Sequence, residues 1–341
     1  MSIPDGHPPL PTPAGTGVLL INLGTPGAPD AASVRRYLAE FLSDRRVVEI
    51  PPLVWQPILH GIILRTRPKK SAHAYQQVWR PDGSPLAAIT RAQSEALQGA
   101  WGDDVLVDWA MRYGKPAIAD RLASMQAGGA RRILIAPLYP QYCAATTATA
   151  NDAAFAALAK LRWQPAVRTL PPYHDHPAYI AALKASVEAG LARLDFVPDA
   201  ILASFHGMPQ RTLDLGDPYH CHCRKTARLL GEAVAETLGG RELIVTFQSR
   251  FGRAKWLEPA TDAVLAALPG KGVKKVAIVA PGFSADCLET LEELAIRGRE
   301  TFLAAGGDRF AYLPCLNDSA GGIAMLRTIL REELAGWIEP A

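Results

Sequence analysis

Three groups of polar residues in this chain have types and spacings that suit metal or proton chemistry. His206 follows the apolar run Ala-Ile-Leu-Ala-Ser-Phe and precedes Gly207 and Pro209, so its imidazole emerges where a strand gives way to a loop. An isolated histidine is more often structural than catalytic. This placement tips the balance, because imidazole accepts protons near neutral pH and is a borderline-soft metal ligand. Asp286, Glu289 and Glu293 fall at i, i+3 and i+7, which on an α-helix gathers them on one face. A solvated acidic first turn explains that pattern equally well. Yet a strand leads straight into it, and a file of carboxylates is a route for a hard divalent cation.

The third group, His220-Cys221-His222-Cys223, has the donor types of a metal site. Adjacent ligands of this kind cannot close a tetrahedral shell without distant partners. Only Cys143, Cys287 and Cys315 remain among the cysteines, and no CxxC pair exists. The expectation is a turn after Gly216-Asp217-Pro218 that feeds a helix beginning near Cys223, with a metal at Cys221 and Cys223 left open and disfavoured.

The elements that must position these groups are legible as apolar runs beginning at Gly17, Asp104, Arg131, Ala200, Glu242 and Lys274. Between them, residues 151–161, 178–194, 223–238 and 288–304 space Leu, Ala and Ile as amphipathic helices do. Alternation of this kind predicts an α/β fold of parallel sheets flanked by helices. In such sheets ligands bind beyond the carboxyl ends of the strands. The residues found there are Asn22 with Gly24, Arg112 with Tyr113, Tyr139 to Tyr142, His206, Gln248 with Ser249, and Asp286 with Glu289.

The two halves echo each other: Arg112-Tyr113-Gly114 precedes RRILIAP in the first, and Arg250-Phe251-Gly252 precedes KKVAIVAP in the second. A duplication follows, with its boundary near Leu170-Pro171-Pro172. The expected organisation is a flexible tail over residues 1–16, one domain over 17–170, a second over 171–320, and a C-terminal helix over 321–341 packing back on the lobes.

Composition removes several functions. A net charge of +3 over 341 residues, without long basic runs, gives no electrostatic case for nucleic acid. GxGxxG, GxxxxGK[ST] and GxSxG are absent, which argues against nucleotide cofactors and the commonest hydrolase of this architecture. The first sixteen residues hold five prolines and match no secretory signal. Five cysteines without a framework read as reduced thiols of a cytoplasmic protein. The longest apolar stretch, residues 50–64, is too short to span a bilayer. Arg65, Arg67, Lys69 and Lys70 follow it, which suits peripheral contact with an anionic membrane surface. A buried loop or short helix with a solvated basic end suits it equally.

Together these motifs resemble the ferrochelatases from about residue 17 to 337. The resemblance rests on INLGTP at residues 21–26, YPQY at 139–142 with Thr146 and Thr147, SFHGMP around His206, GDPY at 216–219, WLEPATD at 256–262 and SADCLETLEEL from Ser284. It implies two Rossmann-like, chelatase-type domains around a porphyrin cleft, with His206 and Glu289 catalytic and Asp286 and Glu293 extending an acidic metal path. Arg112 and Tyr113 match pocket residues, Ser84 a residue near a propionate, and Leu23 and Trp256 pocket walls.

The implied reaction inserts Fe(II) into protoporphyrin IX with release of two protons. The wording of HGMP and GDPY is closer to members that use protoporphyrin, and coproporphyrin III is the alternative. A haem or porphyrin carrier without turnover is the rival from another class. Two departures matter. Cys287 stands where many members have histidine, so a role for that histidine does not transfer. Cys143 is displaced by one position from the cluster cysteine of some members, and the C-terminal extension with the other three is missing. The expectation is therefore no iron-sulfur cluster, no permanent cofactor, iron as substrate, and a monomer.

Overall fold

The computed structural model describes residues 15–241, 243–252 and 254–339; most of the proposed tail lies outside them. Two four-stranded parallel sheets form the frame. The first contains β1 (Gly15–Gly24), β2 (Val105–Tyr113), β3 (Ala130–Pro137) and β4 (Ala166–Thr169), in the order β2-β1-β3-β4. The second contains β5 (Ala200–His206), β6 (Leu243–Gln248), β7 (Lys275–Val279) and β8 (Arg309–Leu313), in the order β6-β5-β7-β8. The orders correspond strand for strand, as the echo between the halves predicts.

The central strands read as continuous apolar runs because both their faces are covered. Alternation then sends side chains to opposite sides. Leu19, Ile21, Ile133 and Ile135 pack against the outer helices of the first lobe. Val18, Leu20 and Leu134 share one core with Ile201, Ala203 and Phe205 of the second sheet. Helices Pro177–Ala192, Tyr219–Ala233 and Ala320–Glu333 contribute to that shared core through Leu183, Leu230 and Ile329. The lobes thus have a common interior, and Leu170 at the expected boundary is buried within it.

The C-terminal helix, capped by Ser319, packs against Pro177–Ala192 and Pro85–Trp101. Beyond it, Arg168 of β4 stacks over Trp337 at 4.2 Å and donates to the carbonyls of Glu333 and Ala335. The segment from Glu333 to Trp337 is therefore fastened to the first sheet. Across the lobes, Gln93 donates to the carbonyls of Ser284 and Asn317, and Ser284 Oγ donates to that of Leu138.

Two local expectations change. The helix expected near Cys223 begins at Tyr219, because Asp217 Oδ1 accepts the Tyr219 N–H at 3.0 Å. Cys221 is consequently exposed and Cys223 fully buried, on different sides of the helix. His222 Nδ1 accepts the Tyr142 N–H, and its ring stacks on His174 at 3.6 Å. Burial lowers the pKa of both rings, that of His174 to about 4 with His222 contributing. The His-Cys-His-Cys run is thus a helix turn docked on the YPQY loop. Residues 50–64, in turn, belong to a helical rod: Pro52–Ile58, a π-turn at Leu59–Ile63, and Leu64–Val78.

Candidate metal and porphyrin site

His206 ends β5 opposite Gln248 of β6. Its Nδ1 lies 2.7 Å from the Gly207 carbonyl, which can only accept, so Nδ1 carries a proton, and Nε2 makes no hydrogen bond among the described residues; in the neutral ring Nε2 holds the lone pair. Tyr219 OH holds the His206 carbonyl at 3.0 Å. The next residue must be glycine. A Cβ on Gly207 would lie 2.5 Å from the Gln248 carbonyl oxygen and 3.4 Å from the Trp256 ring. Trp256 therefore stands directly beside the histidine loop. Its Nε1 donates to the Phe251 carbonyl, and together they line a rim cavity of about 360 Å³ with Arg250 and Lys255.

The acidic segment differs from the α-helix expected of it. Residues Glu289–Gly298 wind as a π-helix, a form found mostly as short insertions at functional sites. Gln248 Nε2 donates to the Glu289 carbonyl at 2.7 Å, while Gln248 Oε1 accepts from Ser204 Oγ. One buried glutamine thus spans from the His206 strand to the first acidic residue. Tyr37 and Tyr75 are buried near Glu289. Burial, reinforced by the charge of Glu289, raises both phenols and keeps them neutral. The same two causes raise the Cys287 thiol, which stays protonated.

Glu293 is the next carboxylate of the file. Its Oε1 accepts the Ser249 N–H at 2.7 Å and its Oε2 accepts Ser249 Oγ at 2.6 Å. Burial raises its pKa, opposed by the Ser249 hydrogen bonds, by Arg297 and by His206. His206 and Glu293 therefore lie within electrostatic reach of one another.

Asp286 departs from the expected path. It is buried, and its Oδ1 accepts from Thr290 Oγ1 at 2.9 Å and from Tyr312 OH at 2.5 Å. Its Oδ2 accepts from Asn317 Nδ2 at 2.6 Å. A carboxylate so engaged braces the loop before the π-helix. Expecting Asp286 at i on the face of Glu289 and Glu293 assumed a helix that begins three residues too early.

The pocket residues divide similarly. Leu23 packs among Leu86, Met111, Ala285 and Cys287, where the first sheet meets the second lobe's loop. Arg112 is tied to Asp44 at 2.5 Å and to Thr149, and stacks over Tyr113 at 4.3 Å. Tyr113 is fully buried with its hydroxyl on Asp44, so its ring belongs to the interior of the first lobe. Ser84 is also buried, and its Oγ caps helix Pro85–Trp101 by accepting the Ala87 N–H. Among the described residues, no three His, Cys, Asp or Glu side chains converge where they could hold a metal ion.

The family model for ferrochelatase matches residues 15–334 of this chain. The chain belongs to the ferrochelatase family. A relative named ferrochelatase from Rhizobium meliloti (strain 1021) is 55% identical over 328 residues, covering 94% of this chain and 96% of its own. Another from Agrobacterium fabrum is 52% identical over 341 residues, covering 99% and 98%. Among solved structures, SirB from Bacillus subtilis with Fe3+ superposes with a TM-score of 0.56 at 13% identity, over 95% of this chain and 97% of that one. The sirohydrochlorin chelatase SirB from Bacillus subtilis subspecies spizizenii in complex with cobalt gives 0.54 at 12% identity, again over 95% and 97%. At that identity the likeness is one of fold, and it confirms the chelatase architecture.

Within this ferrochelatase frame, Asp44, Tyr37, Tyr75 and the bracing Asn317 were not singled out from sequence. Asp44 follows helix Ala31–Ser43, and the two tyrosines sit inside helical stretches. Nothing in their spacing distinguishes them from core residues.

Proposed function

We propose that this chain inserts Fe(II) into protoporphyrin IX, giving protohaem and releasing two protons. The observation that carries the reading is His206, whose free Nε2 stands at a strand end that Gln248 ties to the π-helix bearing Glu289 and Glu293. Metallation requires loss of two pyrrole protons and a ring bent enough to expose its nitrogens. A cleft that binds the macrocycle by its periphery offsets a distortion of about 1 to 5 kcal/mol. His206 accepts the pyrrole protons on one side one at a time, passing the first to solvent before it takes the second. Glu289, with Glu293 behind it, passes iron from the other. Carboxylates and a borderline imidazole hold a divalent ion loosely enough to release it to four nitrogens, which a closed thiolate site would not. Iron is then substrate, and no resident cofactor or iron-sulfur cluster takes part.

Leu23 and Trp256 form walls of this cleft, and the Asp44-Arg112-Tyr113 cluster stiffens its floor. The test is anaerobic insertion of Fe(II) into protoporphyrin and coproporphyrin, followed by absorbance. Many turnovers with protoporphyrin are expected. Preference for coproporphyrin would replace the substrate, and stoichiometric porphyrin binding without turnover would overturn the enzyme reading.

We also place the protein, as a monomer, in the cytoplasm at the membrane surface. No helix among the described residues is long and apolar enough to cross a membrane. Leu53, Val54 and Ile62 of the helical rod are nevertheless 93%, 56% and 58% exposed, ahead of Arg65, Arg67, Lys69 and Lys70. Trp55 of the same rod donates from Nε1 to the Leu42 carbonyl and packs inward. Leu53→Ser with Ile62→Ser should weaken binding to anionic phospholipid vesicles by about tenfold or more, since each apolar side chain contributes about 1.5 to 3 kcal/mol when fully buried. Unchanged sedimentation with vesicles would remove the membrane assignment.

A further inference from the structure

Ser249 and Asn317 are the non-glycine residues with positive φ among those described, at 65° and 50°. Asparagine visits that region readily, whereas serine is strained there. At Ser249 the left-handed backbone turns two donors toward one acceptor: the N–H meets Glu293 Oε1 at 2.7 Å and Oγ meets Oε2 at 2.6 Å. Arg297 is a more distant partner of the same carboxylate, at 3.7 Å, and its Nε is engaged with Glu292. Ser249 therefore fixes the plane of the Glu293 carboxylate.

The preceding residue, Gln248, pairs with His206 in the ladder and holds the Glu289 carbonyl. The end of β6 thus sets both Glu289 and Glu293 relative to the histidine. A cavity of about 110 Å³, lined by Ser249, Arg250, Asp262, Glu293 and Arg297, opens at this carboxylate. A carboxylate offers roughly four lone-pair sites, so two hydrogen bonds leave others for a cation.

We propose that Ser249 is a positioning residue for iron delivery, holding Glu293 in one orientation at that cavity. The proposal rests on the reading of Glu293 as part of the iron route. A bidentate seat of this kind presents the remaining lone pairs in a fixed direction, whereas an unheld glutamate would sample several rotamers.

Ser249→Gly tests it cleanly, because glycine adopts positive φ without strain, keeps the N–H and deletes only the short hydroxymethyl side chain. The expected result is a melting temperature unchanged or raised, with KM for Fe(II) increased about tenfold, the scale of one hydrogen bond to a charged group. KM for protoporphyrin should not move. Ser249→Asn, which tolerates the same backbone and returns a side-chain donor, should recover part of the iron KM. A fall in stability of Ser249→Gly, or equal changes in both KM values, would mark a packing role and overturn the proposal. Glu293→Gln measured alongside separates the two readings. If it leaves KM for Fe(II) unchanged, the iron route through Glu293 fails and takes the proposal with it. If it raises KM for Fe(II) while Ser249→Gly does not, the role of Ser249 alone is overturned.

Discussion

His206→Ala lowers kcat for Fe(II) insertion by a factor of about 10² to 10⁴, the range that a positioned general base contributes, while porphyrin affinity and melting temperature stay close to those of the parent protein. The side chain is only partly buried, and its one hydrogen bond among the described residues is made to the adjacent Gly207 carbonyl. Truncation therefore opens no core cavity and strands no buried donor. The bonds that shape the loop are made by its backbone groups: the His206 carbonyl accepts from Tyr219 OH, and the Gly207 N–H donates to the Gln248 carbonyl at 2.7 Å. They survive the substitution. Porphyrin binding followed by fluorescence, kcat by absorbance and unfolding by heat separate the cases. Retention of more than a tenth of the parental kcat would move the proton acceptor elsewhere. Parallel loss of porphyrin affinity and stability would mean that the ring is structural.

The fold was largely legible, because parallel strands buried on both faces announce themselves as unbroken apolar runs. Four of the eight strands were read in this way, and the longer edge strands β2 and β6 from apolar-rich runs that are only partly covered. The two that were not, β4 and β8, are sheet-edge strands of four and five residues, and each carries an arginine. Too little of them is buried to leave a run. The duplication was legible because the same strand order repeats the same local sequence at the same place in each lobe.

Placement was legible where a residue stands at a strand end, as His206 and Ser249 do at β5 and β6. It was illegible where it depends on winding. The i, i+3, i+7 spacing of Asp286, Glu289 and Glu293 suits an α-helix, and no pattern of apolar residues distinguishes that from the π-helix actually formed. Hydrogen bonds between distant segments also escaped. Tyr113 and Ser84 have the types and positions of ligand-binding residues, yet a half-buried Asp44 and the first turn of a helix claim their hydroxyls.

Asp286 offers the sharpest separation between a residue that resembles a metal ligand and one that supports the structure. Asp286→Ala should destabilise the protein by about 3 kcal/mol or more. It leaves Thr290 Oγ1, Tyr312 OH and Asn317 Nδ2 without their shared acceptor, and a hydrogen bond to a charged group contributes about 1.5 to 3 kcal/mol. The damage extends across the lobes, because Asn317 Oδ1 also accepts the Asp286 N–H and the Asn317 carbonyl accepts from Gln93. Asp286→Asn should be milder, since an amide oxygen can still serve Thr290 and Tyr312. Its NH2, however, would face the NH2 of Asn317, and that one bond is lost. The expected order in urea midpoint is therefore parent, Asn, Ala, with KM for Fe(II) changing less than stability does. Were Asp286 instead a step on the iron path, both variants would keep their urea midpoints and raise KM for Fe(II). The buried network of Thr290, Tyr312 and Asn317 would then have to be held by something other than this carboxylate.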